Sequence, residues 1–220
     1  MNLSRPVTSV VRSLEGRIFS TLSRASDGLT GSRIAHLIED ASNPGVQTAL
    51  KRMVHEGTVL RRQAGSAGLY ELNREHILWP AIDHLVSETD SAVRQLETRI
   101  VSLVQEILGD TQARAVTLAF FGSVARASST ADSDIDIVAV FPAVVDDVSA
   151  ERVVHQLTAK VPQWTGNACS IYALSEAEAA DLRISGDPIL RSWQQDARTF
   201  NGPELRDILH LTRQSLTMSN

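Results

Sequence analysis

Apolar positions recur at helical spacing through the front of the chain, alternate through two short runs, return to helical spacing, and end as solid apolar blocks. Val10, Val11, Leu14, Ile18, Phe19 and Leu22 predict a first helix. After the turn Ala25-Ser26-Asp27-Gly28, a second helix starts near Leu29–Ser32. Ile34, Ala35, Leu37 and Ile38 form its apolar side, and Thr30 or Ser32 is its cap. Ser42-Asn43-Pro44-Gly45 reads as a break. A third helix follows with Val46, Ala49, Leu50, Met53 and Val54 on one stripe and Gly57 past its end. Two strand-like runs, 58–63 and 68–73, flank Ala64-Gly65-Ser66-Ala67 as a hairpin.

Helical spacing resumes from Ile77 to Leu108, and the stretch 87–91 reads as an interruption that recaps a second helix. Its Leu and Val stripe reads as core or a dimer seam. Val116–Phe121 reads as a buried strand, Asp134–Phe141 as a second and Ala168–Leu174 as a third. Helices are expected after Ser175 and from Asp187-Pro188, with Trp193 as an apolar anchor. The expected organisation is therefore a first domain over 1–76, a helical linker over 77–110 and a second domain over 111–220. The fold class is α+β, and the second domain is a small mixed sheet flanked by helices.

Three helices followed by a hairpin resemble the winged helix-turn-helix of bacterial regulators, over roughly residues 8–76. That resemblance implies that the third helix is a recognition helix with Asn43, Gln47, Thr48, Lys51 and Arg52 facing out, and that Arg61 and Arg62 at the wing meet phosphates. The same fold also serves as a docking or dimerising module. Net charge of −5 argues against nucleic acid for the whole chain, but the charge is uneven. Residues 1–75 carry 10 Lys/Arg against 7 Asp/Glu, and residues 76–220 carry 11 against 19. A single cysteine, Cys169, excludes an internal disulfide framework and reads as a small buried hydrophobe. No signal peptide and no membrane span are expected, so a cytoplasmic location follows.

The chemistry concentrates in residues 116–141. Gly122-Ser123 directly follows an apolar strand and opens a short helix containing Arg126. A polar loop returns the chain to Asp134 and Asp136 at the head of the next strand. Two carboxylates two residues apart in a strand share one face. Held together they are costly without a cation between them, and Mg²⁺ suits hard oxygens plus substrate phosphates. Gly122 allows close backbone approach to a phosphate, Ser123 offers a hydroxyl, and Arg126 offers charge near a triphosphate. In-line attack on an α-phosphate is the reaction these parts serve.

Gly-Ser, a spacer of about ten residues and Asp-x-Asp together resemble the DNA polymerase β nucleotidyltransferase superfamily, and its minimal branch in particular. The resemblance spans roughly 95–202 and extends to Arg198–Gly202, similar to that branch's closing turn. It implies Asp134 and Asp136 as catalytic metal ligands, and Gly122, Ser123 and Arg126 as nucleotide-binding residues. Two departures stand out. The branch often has glycine where this chain has Ala127. Active members also carry a third carboxylate on a later strand. Here that strand has none, with Ser170 or Asn167 falling in its place, while Glu176 and Glu178 come after it.

Two readings follow. One is an enzyme moving NMP from an NTP to an acceptor, expected to be macromolecular in view of the short C-terminal region. The other is a DNA-binding regulator whose catalytically weak domain senses a nucleotide. A weaker third is a scaffold dimerising through 77–108. Expected partners are a nucleoside triphosphate, double-stranded DNA through the winged helix, a protein acceptor and a second copy of the chain, with no membrane. His155 and His210 stand alone without metal-ligand spacing.

Overall fold

Val11 breaks the first apolar stripe. The backbone there is extended, so the expected helix over 10–22 is instead α1 (Val7–Val10) and α2 (Leu14–Ser23). The structure, a computed structural model, describes residues 1–65, 67–185 and 187–209. Ser66 and His210, both raised from the sequence, lie outside the described residues. The chain divides into two units, Arg5–Ala92 and a second that joins Met1–Ser4 to the chain from Val93 onward.

In the first unit, β1 (Leu29–Thr30) precedes α3 (Gly31–Leu37), and Thr30 Oγ1 caps that helix by accepting from the Arg33 N–H at 3.2 Å. Ser42-Asn43-Pro44-Gly45 does not break the chain as expected. Ser42 is the N-cap, accepting from the Gly45 N–H, and Pro44 sits in the first turn of α4 (Asn43–His55), where its missing N–H costs nothing. β2 (Val59–Ala64) and β3 (Ala67–Leu72) form the hairpin, and β1 adds to its far side to give the order β1-β3-β2. α5 (Trp79–Asp90) completes this unit. Ile18, Ile34, Val46, Leu50, Met53 and Val59 make its core.

After Met1–Ser4, the second unit continues from the second residue of α6 (Ala92–Leu108) through α7 (Asp110–Ala115) and β4 (Thr117–Phe121). α8 (Gly122–Ala125), β5 (Ile135–Phe141), α9 (Asp147–Thr165) and β6 (Cys169–Ser175) follow. α10 (Glu176–Ser185), α11 (Ile189–Asp196), β7 (Arg198–Asn201) and α12 (Leu205–Ile208) close the described chain. The sheet order is β6-β5-β4-β7; β5 and β6 run parallel and the other pairs antiparallel. The sheet is mixed and helix-flanked, as expected. Arg198–Gly202 is not simply a turn, because β7 pairs with β4.

Alternation along β5 feeds two cores. Ile135, Ile137, Ala139 and Phe141 pack with Leu96, Ile100 and Val104 of α6 and with Val153, Leu157 and Val161 of α9. Val138 and Val140 face the other way, toward Leu190 and Trp193 of α11. Asp136 belongs by alternation to this second face. Among the described residues, no helix is long and apolar enough to cross a membrane.

Candidate active site

Asp134 stands one residue before β5 and Asp136 is its second residue, so the strand starts one position later than expected. Antiparallel pairing sets Asp136 opposite Phe121, the residue just before Gly122. The chain can turn into α8 there because Gly122 takes φ +67°, a conformation open to glycine. A Cβ on Gly122 would also lie 2.5 Å from Asp136 Oδ2. Glycine is required twice over: for the turn, and for the space the carboxylate fills. Ser123 follows, half-buried.

Burial pushes the Asp136 carboxyl above its ordinary value, and the negative charge of Asp134 adds to that, while Arg126 opposes it. The three charged side chains named from the sequence thus share one electrostatic neighbourhood. Arg126 itself pairs with Asp196 at the end of α11, a residue with no signal in the local sequence because it lies 70 positions away. Asp196 is largely buried, and its other oxygen, Oδ1, has no hydrogen-bond partner among the described residues. Trp193, one turn earlier, is fully buried edge-on to Phe121 and Tyr172.

The loop before Asp134 is strapped at several points. Thr130 N–H donates to Ser133 Oγ at 2.9 Å. Asn167, only 4% exposed, donates from Nδ2 to the carbonyls of Ala131 at 3.1 Å and Ser133 at 2.9 Å, and its Oδ1 accepts from the Met1 ammonium at 2.7 Å. Ser129 is buried, 2.9 Å from Ser4 Oγ. Asn167 therefore does not stand in for an acid. It is a positioning residue for the segment that delivers the two aspartates.

Ser170 is the residue at the acid's place. Parallel register sets it directly against Asp136, exposed, on the same face. Glu176 and Glu178 do not reach in. They follow the far end of β6, where Glu178 Oε2 accepts from the Ser175 N–H at 2.8 Å. No group of three or more His, Cys, Asp or Glu side chains that could hold a metal ion occurs among the described residues. Cys169, opposite Ile135, is buried; that burial, with the charges of Asp136 and Asp134, pushes its thiol up to about 12. Ala127, the other departure, adopts φ +53°, so the backbone keeps a left-handed turn at a position where glycine would fit more easily.

In the first unit, Asn43 and Lys51 are exposed on α4. Gln47 is half-buried rather than outward: its amide covers Gly31, where a Cβ would collide with it, and it donates to Asn43 Oδ1 at 3.4 Å. Arg52 is exposed but paired with Glu15. Arg62 makes two hydrogen bonds to Glu71, at 2.6 and 2.7 Å. Arg61 is exposed and lies over Gly68. Two of the four cations named from the sequence thus already hold carboxylates.

Residues 101–172 match the model of the nucleotidyltransferase domain family. No curated protein matches the chain. Among solved structures, the chain is similar to a toxin-antitoxin complex with AMP-PNP, at 14% identity over 54% of this chain and 85% of that one, with a TM-score of 0.36. It is similar to a mutant of the toxin-antitoxin pair MntA-HpeT, at 12% identity over 54% and 84%, with a TM-score of 0.35. A third likeness is to a tri-AMPylated Shewanella oneidensis HEPN toxin in complex with MNT antitoxin, at 14% identity over 56% and 84%, with a TM-score of 0.34.

Proposed function

We propose that this chain transfers a nucleoside monophosphate from an NTP to a macromolecular hydroxyl, with Asp134 and Asp136 as its catalytic, metal-holding carboxylates. The observation that carries the reading is the mutual fit of Gly122 and Asp136, within a segment that matches the nucleotidyltransferase domain family. A divalent cation fits these residues, because two hard carboxylates that repel each other are what Mg²⁺ compensates. Mg²⁺ held by Asp134 and Asp136 would neutralise charge on the triphosphate. The chain's own groups do the rest. Backbone after Gly122 and the Ser123 hydroxyl hold phosphate oxygens, and Arg126 supplies a cation beside them. The acceptor hydroxyl oxygen attacks the α-phosphorus, its proton passing to solvent, as the bond to pyrophosphate breaks and pyrophosphate leaves on the opposite side.

The Arg5–Ala92 unit is read as a winged helix that binds DNA or docks a partner. Its helix order and hairpin support that reading, with Asn43, Lys51 and Arg61 as the contacts free to reach a duplex, and Gln47, Arg52 and Arg62 reaching it only by giving up their present partners. A second reading is favoured by Ser170. With a hydroxyl instead of a carboxylate beside Asp136, the second unit binds NTP and turns over slowly or not at all, and the chain acts as a nucleotide-sensing regulator.

Incubation with Mg²⁺ and each α-labelled NTP, with and without cell extract, separates the two. Label transfer that disappears in Asp134→Ala/Asp136→Ala is the result expected of the enzyme. NTP binding without transfer, together with a gel shift on DNA upstream of the gene, overturns it in favour of the regulator.

A further inference from the structure

An opening in the second unit is lined by neither of the two aspartates. It is a cavity of about 1120 Å³ outside the carboxyl ends of β5 and β6. Six residue steps separate Asp136 from Pro142, roughly 20 Å along an extended strand. The cavity lies where β5 ends and where β6 passes into α10, and α9 forms its remaining wall. A crevice beyond the carboxyl ends of parallel strands is where open α/β sheets take their ligands, and β5–β6 is the parallel pair of this sheet.

Its lining is of two kinds. Phe141, Val145, Ala150, Val154 and Leu174 give it an apolar floor. Around them stand five acids and His155, with no Lys or Arg. Two of the acids have structural work. Asp146 caps α9 by accepting from the Ser149 N–H at 2.9 Å, and Glu178 caps α10 through Ser175. The acids of a first helical turn also offset the helix dipole, a role that accounts for Asp147 and part of Glu176. Glu151 lies beyond that first turn, and no ion pair among the described residues includes Asp147, Glu151 or Glu176. The chain on either side of Asp146 also exposes large apolar side chains, Val144 at 61% and Val148 at 76%. Scattered single exposures need no explanation, but these two flank the cavity's own acids.

We propose that this cavity docks a basic amphipathic segment of a partner protein. Apolar side chains of that segment fill the floor, and its Lys or Arg side chains meet Asp147, Glu151 and Glu176. Charge complementarity selects this occupant: an acidic rim without a cation of its own repels anions such as nucleotides or nucleic acid, and an apolar floor of this volume leaves a bare metal ion or small polyamine mostly uncontacted. The proposal does not depend on the transfer reaction, because none of these residues belongs to the Asp134–Asp136 site.

The test uses the full chain and a fluorescein-labelled helical peptide of Leu and Lys at amphipathic spacing, with a Leu/Glu peptide of the same pattern as control. Anisotropy is expected to report binding of the Lys peptide that weakens with salt. The double variant Glu151→Lys/Glu176→Lys should lose it by about tenfold or more, and Glu151→Gln/Glu176→Gln by less. Asp134→Ala/Asp136→Ala should bind like the parent. The proposal is overturned if the Lys peptide does not bind, if the Glu peptide binds as well, if the charge-reversed chain binds unchanged, if the loss follows the aspartate variant instead, or if spermine at equal charge displaces the peptide fully.

Discussion

Both ends of β5 are acidic, yet their carboxylates respond to protons in opposite directions. At the start of the strand, Asp136 is half-buried beside Asp134 and its carboxyl is raised above the ordinary 3.8. Just past the other end, Asp146 is lowered from 3.8 and Glu178, after β6, from 4.5, because each accepts hydrogen bonds at the head of a helix. The residue type is the same; the donors around it are not. Carboxylates that meet N–H groups stabilise the fold they belong to, and carboxylates that meet each other weigh on it. The second arrangement persists where it serves a ligand.

The strongest way to sharpen that contrast is to complete the costly end. Ser170→Asp sets a third carboxylate against Asp136 in register. It should raise Mg²⁺-dependent nucleotidyl transfer on the order of 10–100-fold, read as kcat with a labelled NTP. An unchanged rate would show that Ser170 is not what holds transfer back.

Next in size is Asn167→Ala. It removes two donated hydrogen bonds to the loop before Asp134 and the acceptor for the Met1 ammonium, all made by a side chain that is itself buried. A loss of about 2–3 kcal/mol is expected, seen as a lower denaturant midpoint. A loss near zero would mean the loop is held by its own Thr130–Ser133 turn.

The contrast itself is tested by pH in metal-free protein. Because the folded pKa of Asp136 lies above its unfolded value, the unfolded chain releases the proton first. Stability therefore falls as pH rises from 3.8 through the raised value, and stays lower at neutral pH. Asp136→Asn should remove that fall and raise Tm at pH 7 while abolishing metal-dependent activity. For Asp146 and Glu178 the sign reverses. Their contribution is present above 3.8 and 4.5 and is lost as pH falls through the lowered values. Glu178→Gln should flatten the acid limb of the Tm profile and leave the neutral plateau slightly lower. Equal pH profiles for the two variants would erase the difference between the two ends.

The smallest effect is expected at Ala127. A left-handed non-glycine residue costs about 1–2 kcal/mol, and glycine gives back part of that through its looser unfolded chain. Ala127→Gly should gain about 0.5–1 kcal/mol by calorimetry, and a loss would mean the methyl group is packed rather than strained.

The legible parts of this molecule were local. Gly122, Ser123 and the Asp-x-Asp pair announce themselves because turn, strand and carboxylates fall within fifteen residues. The mixed sheet follows from solid apolar runs such as Val138–Phe141. What escaped was set by distance or by shortness. Asp196 meets Arg126 across 70 positions, and Asn167 reaches the loop across more than 30. β1 is two residues long, too short for any period to show, and pairing with Tyr70 and Leu69 makes it a strand. Gln47 looked outward by helical phase, but phase does not reveal that Gly31 leaves a hollow beneath it.

Met1–Ser4 belong with the chain from Val93 onward, with Leu3 in that unit's core. Topologically, the unit from Arg5 to Ala92 is therefore an insertion between two segments of the second unit. The contacts of that short segment are long-range, Ser4 with Ser129 and Met1 with Asn167, so the ends they join are far apart along the chain. Once folded, the inserted unit replaces a long flexible excursion between Ser4 and Val93, which lowers the entropy cost of closing that loop. The connectivity therefore predicts that the inserted unit forms before Leu3 reaches its core.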